Sequence, residues 1–174
     1  MQNCSQAMRA MQRFHQDDRG WADIGYTFAV GGDGKVYEGR GFDKVGAHAP
    51  LYNRNSIGIC LIGDWQNEVP PSNMLIATQE LIAHAIETGH LSKDYILLGH
   101  KQVRDTTCPG PALFNEIQKW PQFGSEIKFE ASNQPNSVAS ISSNMKALPL
   151  TLYAFHRVHL ELRQTFTIQT KSVM

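Results

Sequence analysis

The chain has 174 residues, 41% of them hydrophobic, and its 16 basic and 16 acidic side chains cancel. This length suits one domain, or one domain with a tail, with enough apolar residues for a core. Balanced charge excludes a nucleic-acid or anionic-membrane partner recognised through bulk electrostatics. No apolar run approaches the roughly 20 residues of a membrane span.

In chain order, Met1 to His15 is polar and shows no signal-peptide pattern. Residues 5–15 are expected to form a helix capped by Ser5, with Met8, Met11 and His15 on one face. Gly20 marks its break. Tyr26–Val30 and Lys35–Arg40 are strand-like runs around Gly31-Gly32-Asp33-Gly34. That glycine cluster is a hairpin turn rather than a phosphate loop, because no P-loop lysine and helix follow it. Gly41 to Arg54 is a loop holding His48 and Asn53. Ile57–Ile62 is an unbroken apolar run, as expected of a strand covered on both faces. Pro70-Pro71-Ser72 opens a helix through about Thr88, with a stripe of Met74, Leu75, Thr78, Leu81, Ile82, Ala85 and Ile86 and a stop at Gly89. Tyr95–Leu98 is a short strand, and Pro111 opens a last helix to about Trp120. Alternating strands and helices give an α/β class. Residues 124–147 are rich in Ser and Asn and are expected to be flexible. Residues 148–174 turn apolar again, but nothing in the pattern ties them to residues 1–123. The expectation is an unrelated tail.

Three cysteines cannot make a disulfide framework. Cys60 sits in an apolar run and is expected to be a buried thiol, whereas Cys4 has no evident partner. Of the seven histidines, His84 and His90 are expected at the surface, and His156 and His159 lie in the tail. His100 and Cys108 are the informative pair. They stand eight residues apart, at a strand end and across a short loop closed by Pro109-Gly110. Imidazole and thiolate at that spacing can share one zinc ion, but a catalytic zinc needs a third protein ligand and an open position for water. The chain contains no Gly-x-Ser-x-Gly, which removes a serine-hydrolase reading. A structural zinc module fails as well, because only two plausible ligands cluster.

Several segments then occur in order: Asp23-Ile24-Gly25-Tyr26, Gly32 through Gly41, Gly46-Ala47-His48-Ala49, Asn53, Ser56-Ile57-Gly58-Ile59, Ile62-Gly63-Asp64, and Gly99-His100 through Cys108-Pro109-Gly110. Together they resemble the peptidoglycan recognition proteins of innate immunity, relatives of phage-type N-acetylmuramoyl-L-alanine amidases, and most of all the amidase-active insect members. The resemblance runs from about Cys4 to Phe123, which is taken as the domain, with 124–174 outside it. It implies a mixed β-sheet packed by three helices and a peptide-binding groove. It also implies zinc-dependent hydrolysis of the amide between muramic acid and L-alanine, an antibacterial reaction in peptidoglycan catabolism.

Carried over residue by residue, the resemblance makes His100 and Cys108 the second and third zinc ligands. Tyr26 and Thr106 become auxiliary catalytic groups, placed to hydrogen-bond the water or the developing oxyanion. It makes His15, Arg19, Gly20, Trp21, Tyr26, Arg40, His48 and Asn53 contacts to a muramyl peptide. Gly20, Trp21 and Arg40 together go with stems carrying meso-diaminopimelic acid, whose extra carboxylate a guanidinium can grip through two charge-assisted bonds. The family's first zinc histidine lies on a strand upstream of the first helix. That strand is missing here, with the first cysteine of a short disulfide whose other half is Cys4. His15 matches a groove position and does not replace the lost ligand. The expectation is therefore two of three zinc ligands, hydrolysis in doubt, an unpaired sheet edge, and a non-catalytic peptidoglycan-binding or signalling module as the alternative. The expected partners are bacterial peptidoglycan and muramyl peptides, and the family favours an extracellular setting.

Overall fold

The computed structural model describes residues 3–125 and 165–169. Helix α1 (Cys4–Arg13) starts at Asn3, not Ser5: the Asn3 side chain accepts from the Gln6 N–H, so the cap lies two residues earlier than expected. Cys4, Ala7, Met8 and Met11 form its buried face. The backbone then widens into a π-helical turn, Phe14–Asp18, in place of a regular helix through residue 15. Such turns are rare and concentrate at functional sites; this one carries His15. Gly20, at φ +66°, reverses the chain.

Strands β1 (Phe28–Val30) and β2 (Val36–Glu38) pair antiparallel across the Gly31–Gly34 turn. They are shorter than the apolar runs suggested, and Tyr26 and Arg40 lie just outside them. Strand β3 (Ser56–Leu61) runs parallel to β1 and is buried from Ile57 onward, which is why its sequence is continuously apolar. Helix α2 (Ser72–Glu87) follows, with Met74, Ala77, Thr78, Leu81, Ile82 and Ala85 inward. Strand β4 (Ile96–Gly99) leads into a single 3-10 turn, His100–Gln102, and then into α3 (Pro111–Ile117). The main core gathers Phe28, Val30, Ile59, Leu61, Met74, Leu97, Leu113 and Ile117 between the sheet and helices α2 and α3. A second core packs α1 on the other face, where Cys4 and Cys60 are both buried and neither is in a disulfide among the described residues. His90 is exposed as expected, yet its ring stacks on Phe42 at 4.3 Å. His84 is exposed as well.

The sheet order is β2-β1-β3-β5-β4, where β5 is Thr165–Gln169. The structure therefore departs from the expected separation of residues 124–174 in this stretch. Thr165–Gln169 pairs antiparallel with β3 on one side and with β4 on the other. This stretch therefore occupies an interior position of the sheet, with β2 and β4 at its edges. Residues 126–164 and 170–174, with the expectation of flexibility placed on 124–147, lie outside the described residues except for Gly124 and Ser125.

Candidate functional site

The π-helical turn and the Gly20 reversal bring His15 back against the strand entering β1. The His15 ring stacks on Trp21, with centroids 4.8 Å apart, and meets Tyr26 edge-on at 6.0 Å. Its Nδ1 accepts the Gly25 N–H at 3.3 Å, so Nε2 carries the proton of the neutral ring. Burial lowers the His15 pKa, and the positive charges of Arg19 and Arg40 lower it further. Arg19 itself is exposed and lies over the Phe14 ring at 5.1 Å, and that ring is 5.6 Å from the His15 ring, so Arg19 stands at the rim of the cluster.

Arg40 is held by backbone. Its Nε donates to the Ile24 carbonyl at 2.7 Å and Nη1 to the Val45 carbonyl at 2.8 Å. A guanidinium has five N–H groups, so two of them fix its orientation. Among the described residues it has no carboxylate within ion-pair distance. The neighbouring Asp23 carboxylate is turned to the Gln12 side chain and the Ile24 N–H.

The 41–54 loop crosses above β1 and β3. Ala47 N–H donates to the Gly25 carbonyl at 2.7 Å, which ties the loop to the His15–Tyr26 cluster. The Asn53 Oδ1 accepts from the backbone N–H groups of both His48 and Ala49, at 2.9 and 2.7 Å. Asn53 therefore shapes the loop that carries His48. What remains of it for a ligand is the amide nitrogen. The His48 ring is 2% exposed and lies over two glycines: a Cβ at Gly58 would stand 2.4 Å from the ring, and one at Gly46 2.6 Å. Burial, with help from His100 and Arg40, lowers the His48 pKa to about 4, so the ring is neutral at pH 7.

His100 sits at the end of β4, 7% exposed, with Nε2 2.8 Å from the His48 carbonyl. A carbonyl can only accept, so Nε2 carries the proton and the lone pair is on Nδ1. Burial is the main influence lowering the His100 pKa, Arg104 lowers it further, and the bond to the His48 carbonyl opposes both. Cys108 is equally buried, and its carbonyl accepts from Lys101 N–H at 2.8 Å, which folds the intervening loop back on the turn after His100. Thr106 Oγ1 accepts from the Cys108 N–H at 3.2 Å and so positions the cysteine. The donor chemistry suits zinc, in an arrangement where the second ring nitrogen of a ligating histidine donates to a carbonyl. Yet no group of three His, Cys, Asp or Glu side chains capable of holding a metal occurs among the described residues. Two ligands do not make a catalytic zinc site.

Three contributors escaped the sequence reading. Gln102 is buried and accepts from Gly99 N–H at 2.8 Å while donating to the Gly124 carbonyl at 2.7 Å, bracing the turn that carries His100. Thr27 Oγ1 accepts from Gly58 N–H beneath His48. Arg104 Nη1 reaches the His48 carbonyl at 3.4 Å. None carries a motif signal, because each acts through backbone groups that only the fold brings near. A separate cavity of about 550 Å³ between α2 and the β1–β2 hairpin, lined by Phe28, Phe42, Leu81 and His90, shares no residue with this site.

Residues 1–111 match the family model described as N-acetylmuramoyl-L-alanine amidase. The chain is 58% identical over 121 residues to peptidoglycan-recognition protein LB of Drosophila melanogaster, covering 70% of this chain and 52% of that protein. It is 49% identical over 126 residues to an N-acetylmuramoyl-L-alanine amidase of Sus scrofa, covering 72% of this chain and 21% of that one. It thus spans about half or less of the length of these curated relatives. Among solved structures, peptidoglycan recognition protein-LE in complex with tracheal cytotoxin, a monomeric diaminopimelic acid-type peptidoglycan, superposes with a TM-score of 0.69 at 46% identity, covering 71% of this chain and 74% of the other.

Proposed function

Since the chain belongs to the N-acetylmuramoyl-L-alanine amidase family and is similar to its peptidoglycan recognition proteins, we propose that it recognises bacterial peptidoglycan through muramyl peptides of the diaminopimelate type. The observation that carries this is Arg40. Its guanidinium is half-buried, oriented by two backbone carbonyls, and without a carboxylate partner among the described residues. A planar cation fixed this way needs little ordering to grip a second carboxylate, and a lysine stem has none to offer. Beside it, His15, Trp21 and Tyr26 supply an aromatic face, with Arg19 and Gly20 at its rim. His48 and the Asn53 amide nitrogen supply polar contacts to an extended, amide-rich ligand.

Hydrolysis is the reaction of the family, and zinc supplies it by lowering the pKa of a bound water and polarising the carbonyl. His100 through Nδ1 and Cys108 through its thiolate would hold the ion, with Thr106 steadying the cysteine and Tyr26 serving as a hydrogen-bond donor. A third donor would have to come from outside the described residues. The reading for these residues is therefore recognition rather than turnover.

The test is calorimetric titration of the full chain with purified diaminopimelate-type and lysine-type muramyl peptides, with and without EDTA, while chromatography follows release of stem peptide. Preferential binding of the diaminopimelate type, unaffected by chelation and without release, is expected. No binding of either peptide would sink the recognition reading. Zinc-dependent release would sink the non-catalytic one.

A further inference from the structure

We propose that Thr165–Gln169 is the positioning strand of the candidate site, the element that sets the spacing between its two halves. One half rests on β1 and β3, where Gly58 forms the floor under His48. The other is delivered by β4, whose last residue, Gly99, precedes His100. Nothing pairs β3 with β4 directly; both pair with β5. Five residues of β5 face β3, from Ser56↔Gln169 to Cys60↔Thr165, and four face β4, from Ile96↔Gln169 to Gly99↔Phe166. Thr167 is opposite Gly58 on one side and Leu98 on the other, so a single residue bridges the floor of His48 and the approach to His100.

The bond from His100 Nε2 to the His48 carbonyl joins the same two halves. With one strand between them, β3 and β4 stand about 10 Å apart, two strand spacings. Empty, that slot would leave two facing rows of backbone donors and acceptors without partners, a cost that buried strands do not bear. The sequence Thr-Phe-Thr-Ile-Gln suits an interior strand. It carries no His, Cys, Asp or Glu, so the strand completes the sheet without completing a metal site. The inference stands apart from the recognition reading, because its test needs no ligand.

Hydrogen exchange of the full chain, read by mass spectrometry, decides it. Amides of residues 165–169 are expected to exchange at least about 100-fold more slowly than those of an unstructured peptide, alongside Ile57–Cys60 and Leu97–Gly99. Thr167→Pro removes a ladder donor at the centre of the strand. It should release protection in β5 and in the flanking β3 and β4 segments, whereas Thr167→Val, which keeps the strand, should not. Exchange of residues 165–169 at the unstructured rate in the wild-type chain would overturn the proposal, without needing any variant to fold. Unchanged protection of β3 and β4 in Thr167→Pro would do so too.

Discussion

His100 Nε2 lies 2.8 Å from the backbone carbonyl of His48, a contact between residues 52 apart in sequence. It fixes the tautomer of one candidate metal ligand through the backbone of a candidate peptide contact, so the metal half and the recognition half share one hydrogen bond. Because Nδ1 and the Cys108 thiolate are the only candidate zinc donors at this position among the described residues, zinc should bind weakly. Chelator competition should show Cys108→Ala losing what zinc affinity there is, while affinity for a diaminopimelate peptide stays unchanged. A genuine hydrolytic activity abolished by Cys108→Ala would mean that a third ligand is present after all.

Arg40 separates scaffold from ligand. Arg40→Ala should cost about 1.5–3 kcal/mol in diaminopimelate-peptide binding, or roughly 10- to 150-fold in Kd, and far less for a lysine-type peptide. Arg40→Lys keeps the charge but loses the fork that spans Ile24, Val45 and the ligand. Its discrimination between the two peptides should fall nearly as far. Equal losses on both peptides would remove the specificity argument.

Gly58→Ala tests the floor under His48. The added methyl would stand 2.4 Å from the ring. Its neighbours cannot give way easily, because the ring is buried and the strand is paired on both sides. Overpacking of this kind costs about 1–3 kcal/mol. A denaturant melt should show it as a lower midpoint at unchanged slope.

Asn53→Ala strips the acceptor from two backbone N–H groups at once. A loss of about 1–3 kcal/mol is expected for a buried donor left unsatisfied. Asn53→Asp, which keeps the oxygen, should recover most of it. If both variants melt alike, the loop does not depend on this cap.

Acid should destabilise the fold through its buried histidines. His15 has a folded pKa below its unfolded value, chiefly because of burial, and His48 falls in the same direction. The unfolded state then binds more protons as pH drops past about 6.5, so stability is full above that pH and is lost below it. His15→Asn keeps an acceptor for Gly25 N–H but cannot titrate. The fall in Tm between about pH 7 and pH 5 should be shallower than in the wild type; an identical slope would exclude His15 as a contributor.

The residues that carry local signals were legible before any fold was known. The Gly31–Gly34 turn, the buried β3, the α2 stripe and the His100–Cys108 spacing all follow from periodicity, turn chemistry and ligand type, which are properties of neighbours in sequence. The ordered segments carried the family resemblance. Ends of elements were harder, because Asn3 could be told from Ser5 as the cap only once the first turn's N–H groups had a direction. Three things belonged to tertiary structure alone. The grip of Thr27 on Gly58 and of Gln102 on Gly124 joins backbone groups 31 and 22 residues away, which only the folded sheet brings near. The orientation of Arg40 needs the Ile24 and Val45 carbonyls brought together. The strand between β3 and β4 comes from Thr165–Gln169, beyond the reach of any short-range pattern, because sheet pairing depends on backbone hydrogen bonds that are indifferent to distance along the chain.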